Sequence, residues 1–204
     1  MQLFYIFFCI QTTQRFFYGT SPGSEIEVTP MCNSTKQKIA STMHEMMIRK
    51  SFDKITVKNL MDVTNMNRQS FYYHFRDTRD VLMWICQERV FQPLATADLE
   101  FSEWIIHGLE LLNQDRGFYL RGVSVSQTDF VREFIATAIF PKVKSILYPE
   151  VAHLGEHQTF AVDFLSNAII DYYLRFLASH EPLNPADCRK KLRFLLAEVI
   201  HVNH

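Results

Sequence analysis

Apolar residues recur along most of this chain at the three- and four-residue spacing of helices. In the first patterned segment Ile39, Met43 and Met47 share one side, while Lys36 and Glu45 lie opposite. Later apolar stripes run near 99–113, 127–147, 157–179 and 185–202, separated by glycines and prolines. No stretch shows the alternation of a strand or the turn pair of a hairpin. The pattern predicts an all-α protein.

Short polar residues divide the segment from about residue 34 to Pro93 into four helices. Such residues start helices because their side chains accept hydrogen bonds from the first free backbone N–H groups. Asn65 is expected to end the second helix, since asparagine tolerates the left-handed conformation found there. A turn of about three residues then leads to the third helix, which predicts a helix-turn-helix. The expected capping residues are, in chain order, Ser34 or Thr35, Thr56, Asn67, and Asp77 or Thr78.

The third helix begins with polar side chains and continues with aromatic ones, in the string NRQSFYYHF from residue 67 to 75. Phe71 and Phe75, four residues apart, are expected to anchor the helix on its own protein. Arg68 pairs well with guanine and Gln69 with adenine, and phenol or imidazole groups bond phosphate oxygens. The string therefore favours a helix that docks one face and reads DNA with the other. The alternative is an ordinary three-helix segment whose polar face is solvated and binds no DNA.

The string from Ile55 to Ile85 closely resembles the DNA-binding segment of the TetR family of transcriptional regulators. The matching features are Thr56, Leu60, Met66, the run YYHF and Leu82. The phrasing also resembles the subgroup that includes the dihydroxyacetone kinase regulator. The resemblance covers roughly residues 34–94 and implies a helix-turn-helix domain followed by a helical effector-binding and dimerisation body.

Three positions depart from that family. Thr64-Asn65 stand where the family usually has Ala-Gly, and both are compatible with the turn. Thr78 stands where many members carry a lysine that contacts phosphate, and Arg76 or Arg79 is expected to take its place. The residues expected to contact double-stranded DNA are Thr56, Lys58, Arg68, Gln69, Ser70, Tyr72, Tyr73, His74 and Arg79.

Composition and the distribution of charge indicate how the chain is divided into domains. The chain has 204 residues, of which 48% are hydrophobic and 21% charged, with a net charge of −1. Residues 31–80 carry nine Lys/Arg against five Asp/Glu, whereas residues 81–204 carry eleven against fifteen. A basic front segment on an acidic body fits an anionic partner at one end. We expect a DNA-binding domain over 31–80, with its motif at about 56–75, and a body over 81–204.

Residues 1–30 are interpreted as an extension from an upstream start codon, disordered or not native to the protein. The alternative is an arm that packs on a partner. Their apolar run from Leu3 to Ile10 is short, lacks a basic flank and is not expected to act as a signal peptide. Four scattered cysteines and the lack of a bilayer-length apolar run indicate a cytoplasmic protein with reduced thiols and no membrane contact.

The body is expected to form a homodimer through its last two helices and to bind a small-molecule effector or a partner protein. The dimer candidates lie in Phe160–Ser179 and Pro185–Val202, where more apolar surface occurs than one helix face needs. A bulky residue at Gly108 is expected to fill the effector pocket. A plain hydrophobic core is the alternative interpretation of these aromatic stripes. The candidate pocket residues are Trp84, Phe91, Trp104, His107, Phe118, Tyr119, Phe130 and Phe134.

No catalytic residue, metal site or cofactor is predicted. The string HLGEH from His153 to His157 has the spacing of a reversed zinc-protease motif, but Gly155 and Pro149 favour a loop that leads into a helix. The leading hypothesis is a regulator that binds a palindromic operator as a homodimer. One rival is a TetR-shaped coactivator that acts mainly through protein–protein docking, and a weaker one is a zinc hydrolase.

Overall fold

The structure, a computed structural model, describes residues 30–122 and 128–200. These ranges contain helices and turns but no strand, which confirms the all-α prediction. A 3₁₀ turn lies at Phe52–Lys54, and π turns lie at Gln87–Phe91 and Leu195–Ile200. The α-helices are α1 (Pro30–Arg49), α2 (Val57–Thr64), α3 (Arg68–His74), α4 (Thr78–Cys86), α5 (Gln92–Thr96), α6 (Phe101–Gln114), α7 (Arg116–Gly122), α8 (Thr128–Leu147), α9 (Glu156–Ala178) and α10 (Pro185–Phe194).

The first helix begins earlier than its sequence pattern predicts. Capping by Ser34 or Thr35 is wrong, because α1 starts at Pro30. Proline suits the first turn of a helix, where its missing N–H has no partner to lose. From Gln37 onward the described chain forms one compact unit. The boundary expected after residue 80 stays a prediction, and the extension interpreted over 1–30 lies, except for its last residue, outside the described residues.

A continuous helical segment, here called the connector, runs from Thr78 to Thr96. The sequence predicts that it ends near Pro93, yet Pro93 lies in the first turn of α5 and the segment continues to Thr96. Proline lacks an N–H and would break a regular α-helix at this point. The π turn Gln87–Phe91 lies immediately before α5. In a π turn each backbone hydrogen bond spans five residues, whereas in an α-helix it spans four. The chain thereby passes the proline without leaving the helical direction.

Two aromatic residues hold α6 in the core. The Trp104 indole N–H donates to the Leu94 carbonyl at 2.9 Å, and the side chain is buried. The Tyr173 hydroxyl, on α9, donates to the Ile105 carbonyl at 3.0 Å. The absence of a side chain at Gly108 leaves room for the Tyr173 ring, because a Cβ there would lie 2.8 Å from Tyr173 Cζ. The crossing of α6 and α9 therefore depends on a glycine.

The C-terminus of α9 is closed by Arg116 from α7. Its guanidinium donates to the Glu181 carbonyl at 2.7 Å and the Leu177 carbonyl at 3.3 Å, and also to the carbonyls of Phe176 and Ser179. The same group lies over the Phe176 ring, 4.5 Å from its centroid. The last carbonyls of a helix lack partners within it and favour a positive charge. Arg116 therefore fixes the end of α9 against α7.

In the ranges that the structure describes, none of the helices is both long and apolar enough to cross a bilayer.

We expect Gly108→Ala and Gly117→Ala to have opposite effects on the free energy of unfolding. Gly108→Ala crowds the buried Tyr173 ring and should lower it by about 1–3 kcal/mol. At exposed Gly117 the nearest atom to a new Cβ is the mobile end of Arg121, at 3.1 Å, so the substitution should raise it by about 0.5–1 kcal/mol. Urea denaturation measures both. Equal effects at the two positions would contradict the packing at Gly108.

Candidate nucleic-acid interface

The first helix of the motif, α2, starts with a reciprocal cap. The Asn59 N–H donates to Thr56 Oγ1 at 3.2 Å, and the Thr56 N–H donates to Asn59 Oδ1 at 3.3 Å. The helix ends at Asn65, whose φ of 55° is the left-handed value expected from the sequence. The preceding Thr64 is buried, and its hydroxyl donates to the Leu60 carbonyl at 2.9 Å. Thr64 and Asn65 therefore form the turn without strain or an unpaired buried hydroxyl.

The second helix of the motif, α3, is capped at one end and anchored along one side. Asn67 Oδ1 accepts a hydrogen bond from the Ser70 N–H at 2.7 Å, as predicted. Phe71 and Phe75 are both buried, with ring centroids 6.0 Å apart. Phe75 also contacts the Trp84 ring edge-on at 6.2 Å, so the connector supports the anchor from behind. These contacts turn the remaining faces of α3 outward.

The outward faces of α3 carry the predicted DNA-contacting residues together. Arg68 and Gln69 are exposed, and Ser70 is half-buried. Tyr72 is 58% exposed and Tyr73 is 80% exposed, which are high fractions for aromatic side chains. The half-buried ring of His74 lies edge-on to Tyr73 at 4.9 Å. The arrangement can present a guanidinium, an amide and two phenols to a polar surface.

Further residues that are expected to contact DNA flank α3. Thr56 and Lys58 are exposed at the start of α2, and Arg79 is exposed in the first turn of α4. The Arg76 side chain is 78% exposed, and its Nε lies 3.8 Å from Asp80 Oδ2. Because an exposed pair of this kind is weak, the Arg76 guanidinium can exchange Asp80 for a phosphate. The roles of Arg76 and Arg79 in place of the family's lysine stay predictions.

Among the residues expected to line an effector pocket, those with described side chains pack against other residues of the protein. Trp104 is buried and bonded to Leu94, and Phe91 is buried in the core. Phe118 is buried with its ring 4.8 Å from His44 and 5.2 Å from Tyr119, and Tyr119 is buried too. His107 is half-buried near Glu110. The remaining candidates are Trp84, which is half-buried against Phe75, and Phe130 and Phe134, whose side chains lie outside the described residues.

The body interior also differs from expectation at Gly108 and holds one unexplained polar group. The space expected in front of Gly108 is filled by the Tyr173 ring, so a tryptophan there would displace core packing and fill no pocket. Ser166, on α9, is fully buried, and its hydroxyl has no hydrogen-bond partner within the described part of the chain. An effector role for the predicted pocket residues stays a prediction.

The reversed zinc motif does not form one regular helix. Gly155 is the N-cap of α9, so His153 precedes the helix and His157 lies within its first turn. Both histidines are exposed, and no cluster of metal-binding side chains occurs within the described ranges. The position of Gly155 at the start of α9 confirms the expected loop that leads into a helix.

The last two helices expose apolar residues that differ in part from those expected at a dimer interface. Phe164 and Leu195, which lie in the two predicted dimer segments, are exposed, whereas Ile169 and Tyr173 of the first segment are buried in the chain's own core. Tyr172, Phe176, Leu192 and Leu196 are half-buried, and Val199 and Ile200 have side chains outside the described residues. Exposed Phe160 stacks on Phe164 with ring centroids 6.0 Å apart, and Phe194 is exposed as well.

A group of ionisable residues that joins α1 to the body has no signal in the sequence pattern. Asp115, between α6 and α7, pairs with His44 of α1 and lies 3.5 Å from Arg89 of the π turn. His44 and Asp115 are 71 residues apart. Arg116 was missed for the same reason, since its partners lie 60–65 residues away. Local spacing carries no information about such pairs.

We expect Asn67→Ala to loosen α3 specifically. The substitution leaves the Ser70 N–H without its acceptor and should lower the free energy of unfolding by about 0.5–2 kcal/mol. Backbone amide exchange at residues 68–71 should accelerate. Asn67→Ser is the matched control, because serine also caps helices and should retain most of the stability. Identical exchange in both variants would argue against the cap.

No family model matches the sequence, and a search of curated proteins finds no match either. Solved structures do match. The dihydroxyacetone kinase operon activator DhaS has a TM-score of 0.60 and 18% identity, over 81% of this chain and 96% of its own. A TetR transcriptional regulator from Streptococcus agalactiae has a TM-score of 0.55 and 20% identity, over 83% of this chain and 95% of its own. The chain therefore has the fold of TetR-type transcriptional regulators, as its motif predicts.

Proposed function

We propose that this protein is a transcriptional regulator that binds a palindromic operator in double-stranded DNA. The observation that carries the proposal is α3, a helix anchored by Phe71 and Phe75 that presents Arg68, Gln69 and Tyr73 to solvent. In a helix-turn-helix the N-terminal residues of the second helix reach base edges in the major groove. The likeness to solved transcriptional regulators supports the same conclusion.

The palindromic operator follows from a proposed homodimer. The predicted DNA-binding domain, residues 31–80, is here called the head. Two heads must enter major grooves about 34–36 Å apart, or a multiple of that distance. The exposed Phe160, Phe164 and Phe194 lie on α9 and α10, the helices expected to pair between subunits. Burying large apolar side chains against a second copy removes them from water and provides the driving force for association. A small-molecule effector or a partner protein would then act through the body, and the protein would not be an enzyme.

The DNA contact is tested by selecting a duplex from a randomised pool with the wild-type protein and measuring variant affinities for it. If Arg68 contacts a guanine bidentately, Arg68→Ala should weaken binding by about 1–3 kcal/mol and relax the preference at one position per half-site. Lys58→Ala is the matched control for a phosphate contact. It should weaken all sequences alike and reduce the slope of log affinity against log salt by about 1.

Two results would count against the proposal. An Arg68→Ala variant that selects the same sequences as the wild type would remove Arg68 from the reading face. A wild-type protein that enriches no sequence, but binds DNA once a second protein is added, would favour the docking coactivator.

The dimer is tested by placing a charge on the exposed aromatic pair. Phe164 is 67% exposed, so Phe164→Glu should fold normally as a monomer, yet it puts a carboxylate into the proposed interface. We expect sedimentation velocity to show a shift from dimer to monomer and the operator affinity to fall. Leu120→Glu, at another exposed apolar residue on α7, is the control and should remain dimeric. A dimeric Phe164→Glu variant would place the interface elsewhere.

A further inference from the structure

Asp115 lies where three parts of the molecule meet. Its carboxylate pairs through Oδ2 with His44 Nε2 of α1 and lies 3.5 Å from Arg89 Nη1 of the connector. Its backbone carbonyl accepts from the N–H groups of Phe118 and Tyr119, at 3.0 and 3.2 Å, and so begins α7. One residue therefore links the first helix of the DNA-binding head, the π turn of the connector and the body.

The packing around Asp115 restricts how the linked elements can be arranged. The His44 ring also packs on Phe118, with centroids 4.8 Å apart, so the imidazole is held from two sides. The His44 side chain is only 19% exposed, which limits the competition from water. A half-shielded carboxylate with two partners on different elements favours one arrangement of those elements over others.

Asp115 is also the carboxylate that faces Arg89, with Oδ2 3.5 Å from Nη1. Two further ionisable groups near Arg89 are the Cys86 thiol and the Tyr119 phenol. Burial raises the pKa of the Cys86 thiol to about 12. The pKa of Tyr119 is raised too, first by burial and then by the nearby Cys86 and Asp115. Both groups therefore stay uncharged, and the Arg89 guanidinium has Asp115 as its counter-ion.

We propose that Asp115 is a positioning residue that holds α1 and the connector in the arrangement with which the head binds its operator. This inference rests on the proposed DNA-binding function. Loss of the carboxylate frees the head to adopt other orientations, and a dimer that engages two half-sites must then order both heads on binding. Only such a difference between states can change the affinity, and couplings of this kind change affinity about 5–150-fold.

The test is a double-mutant cycle on the intact protein. Asp115→Asn removes the charge but keeps the shape and the backbone bonds. His44→Phe keeps an aromatic ring against Phe118 but removes the nitrogen. We expect each variant to bind the selected duplex at least about fivefold more weakly than the wild type. We expect the double variant to bind no more weakly than Asp115→Asn, because that substitution already removes the interaction with His44.

The matched control is Glu103→Gln. Glu103 Oε1 and Oε2 accept from Arg189 at 2.5 and 2.7 Å, which links α6 to α10 within the body. The exposed fractions, 33% for Glu103 and 32% for Asp115, are nearly equal, so solvent screens the two carboxylates alike. Glu103→Gln should leave the duplex affinity unchanged within about twofold, the usual error for independent sites. An equal loss of duplex affinity in this control would show that Asp115→Asn acts through general stability, and it would overturn the proposal.

A second measurement separates this inference from the proposed function. Hydrogen exchange of residues 37–49 should accelerate in Asp115→Asn and His44→Phe but not in Glu103→Gln. Unchanged exchange, or wild-type affinity in Asp115→Asn, would overturn the positioning role. A wild-type protein that binds no selected duplex would instead overturn the proposed function. The exchange data would then decide alone whether Asp115 holds α1.

Discussion

The burial of Phe71 and Phe75 is the interaction on which the candidate DNA-binding surface depends. The helix that carries them, α3, has seven residues. Helices this short do not persist in water alone, since the cost of the first turn is not recovered over so few bonds. Tertiary packing must therefore supply both the existence and the orientation of α3. Burying the two rings, with Asn67 closing the N-terminus, points Arg68, Gln69 and Tyr73 away from the core.

The burial of Phe75 also connects α3 to the connector. Phe75 contacts Trp84, and Asp77 caps α4 only two residues after Phe75, with its Oδ1 accepting from the Asp80 N–H at 2.9 Å. The head and the connector are thus held by a ring contact and a short, hydrogen-bonded turn. A rotation of α4 would carry α3 with it. The orientation of the candidate DNA-reading face is therefore set by the connector as much as by the head.

Features that depend on neighbours in sequence were predicted well. The caps at Thr56, Asn67 and Asp77, the left-handed Asn65 and the bounds of α6, α8 and α9 each follow from a few consecutive residues. The buried or exposed state of an apolar residue on a long helix was predicted less well. On α9 apolar residues occur on several faces, so periodicity alone did not separate the buried Ile169 from the exposed Phe164.

Contacts between distant residues were not predictable from this sequence. Gly108 suggested an open space, but a residue 65 positions later, Tyr173, fills it. The pairing of His44 with Asp115 likewise needs the fold before either residue acquires a partner. Both cases have one physical cause. Helix periodicity constrains which face of an element is apolar, but the partner of that face is set by how several elements pack together.

The connector is the element through which the proposed effector control would act. It is helical from Thr78 to Thr96 and so joins the candidate DNA-binding residues to the body through one continuous segment. The π turn at Gln87–Phe91 is the irregular part of its hydrogen-bond ladder, and such turns frequently occur at functional sites. Arg89 lies in this turn and faces Asp115. A ligand or partner that changes the register of the π turn would act directly on the carboxylate that also holds α1.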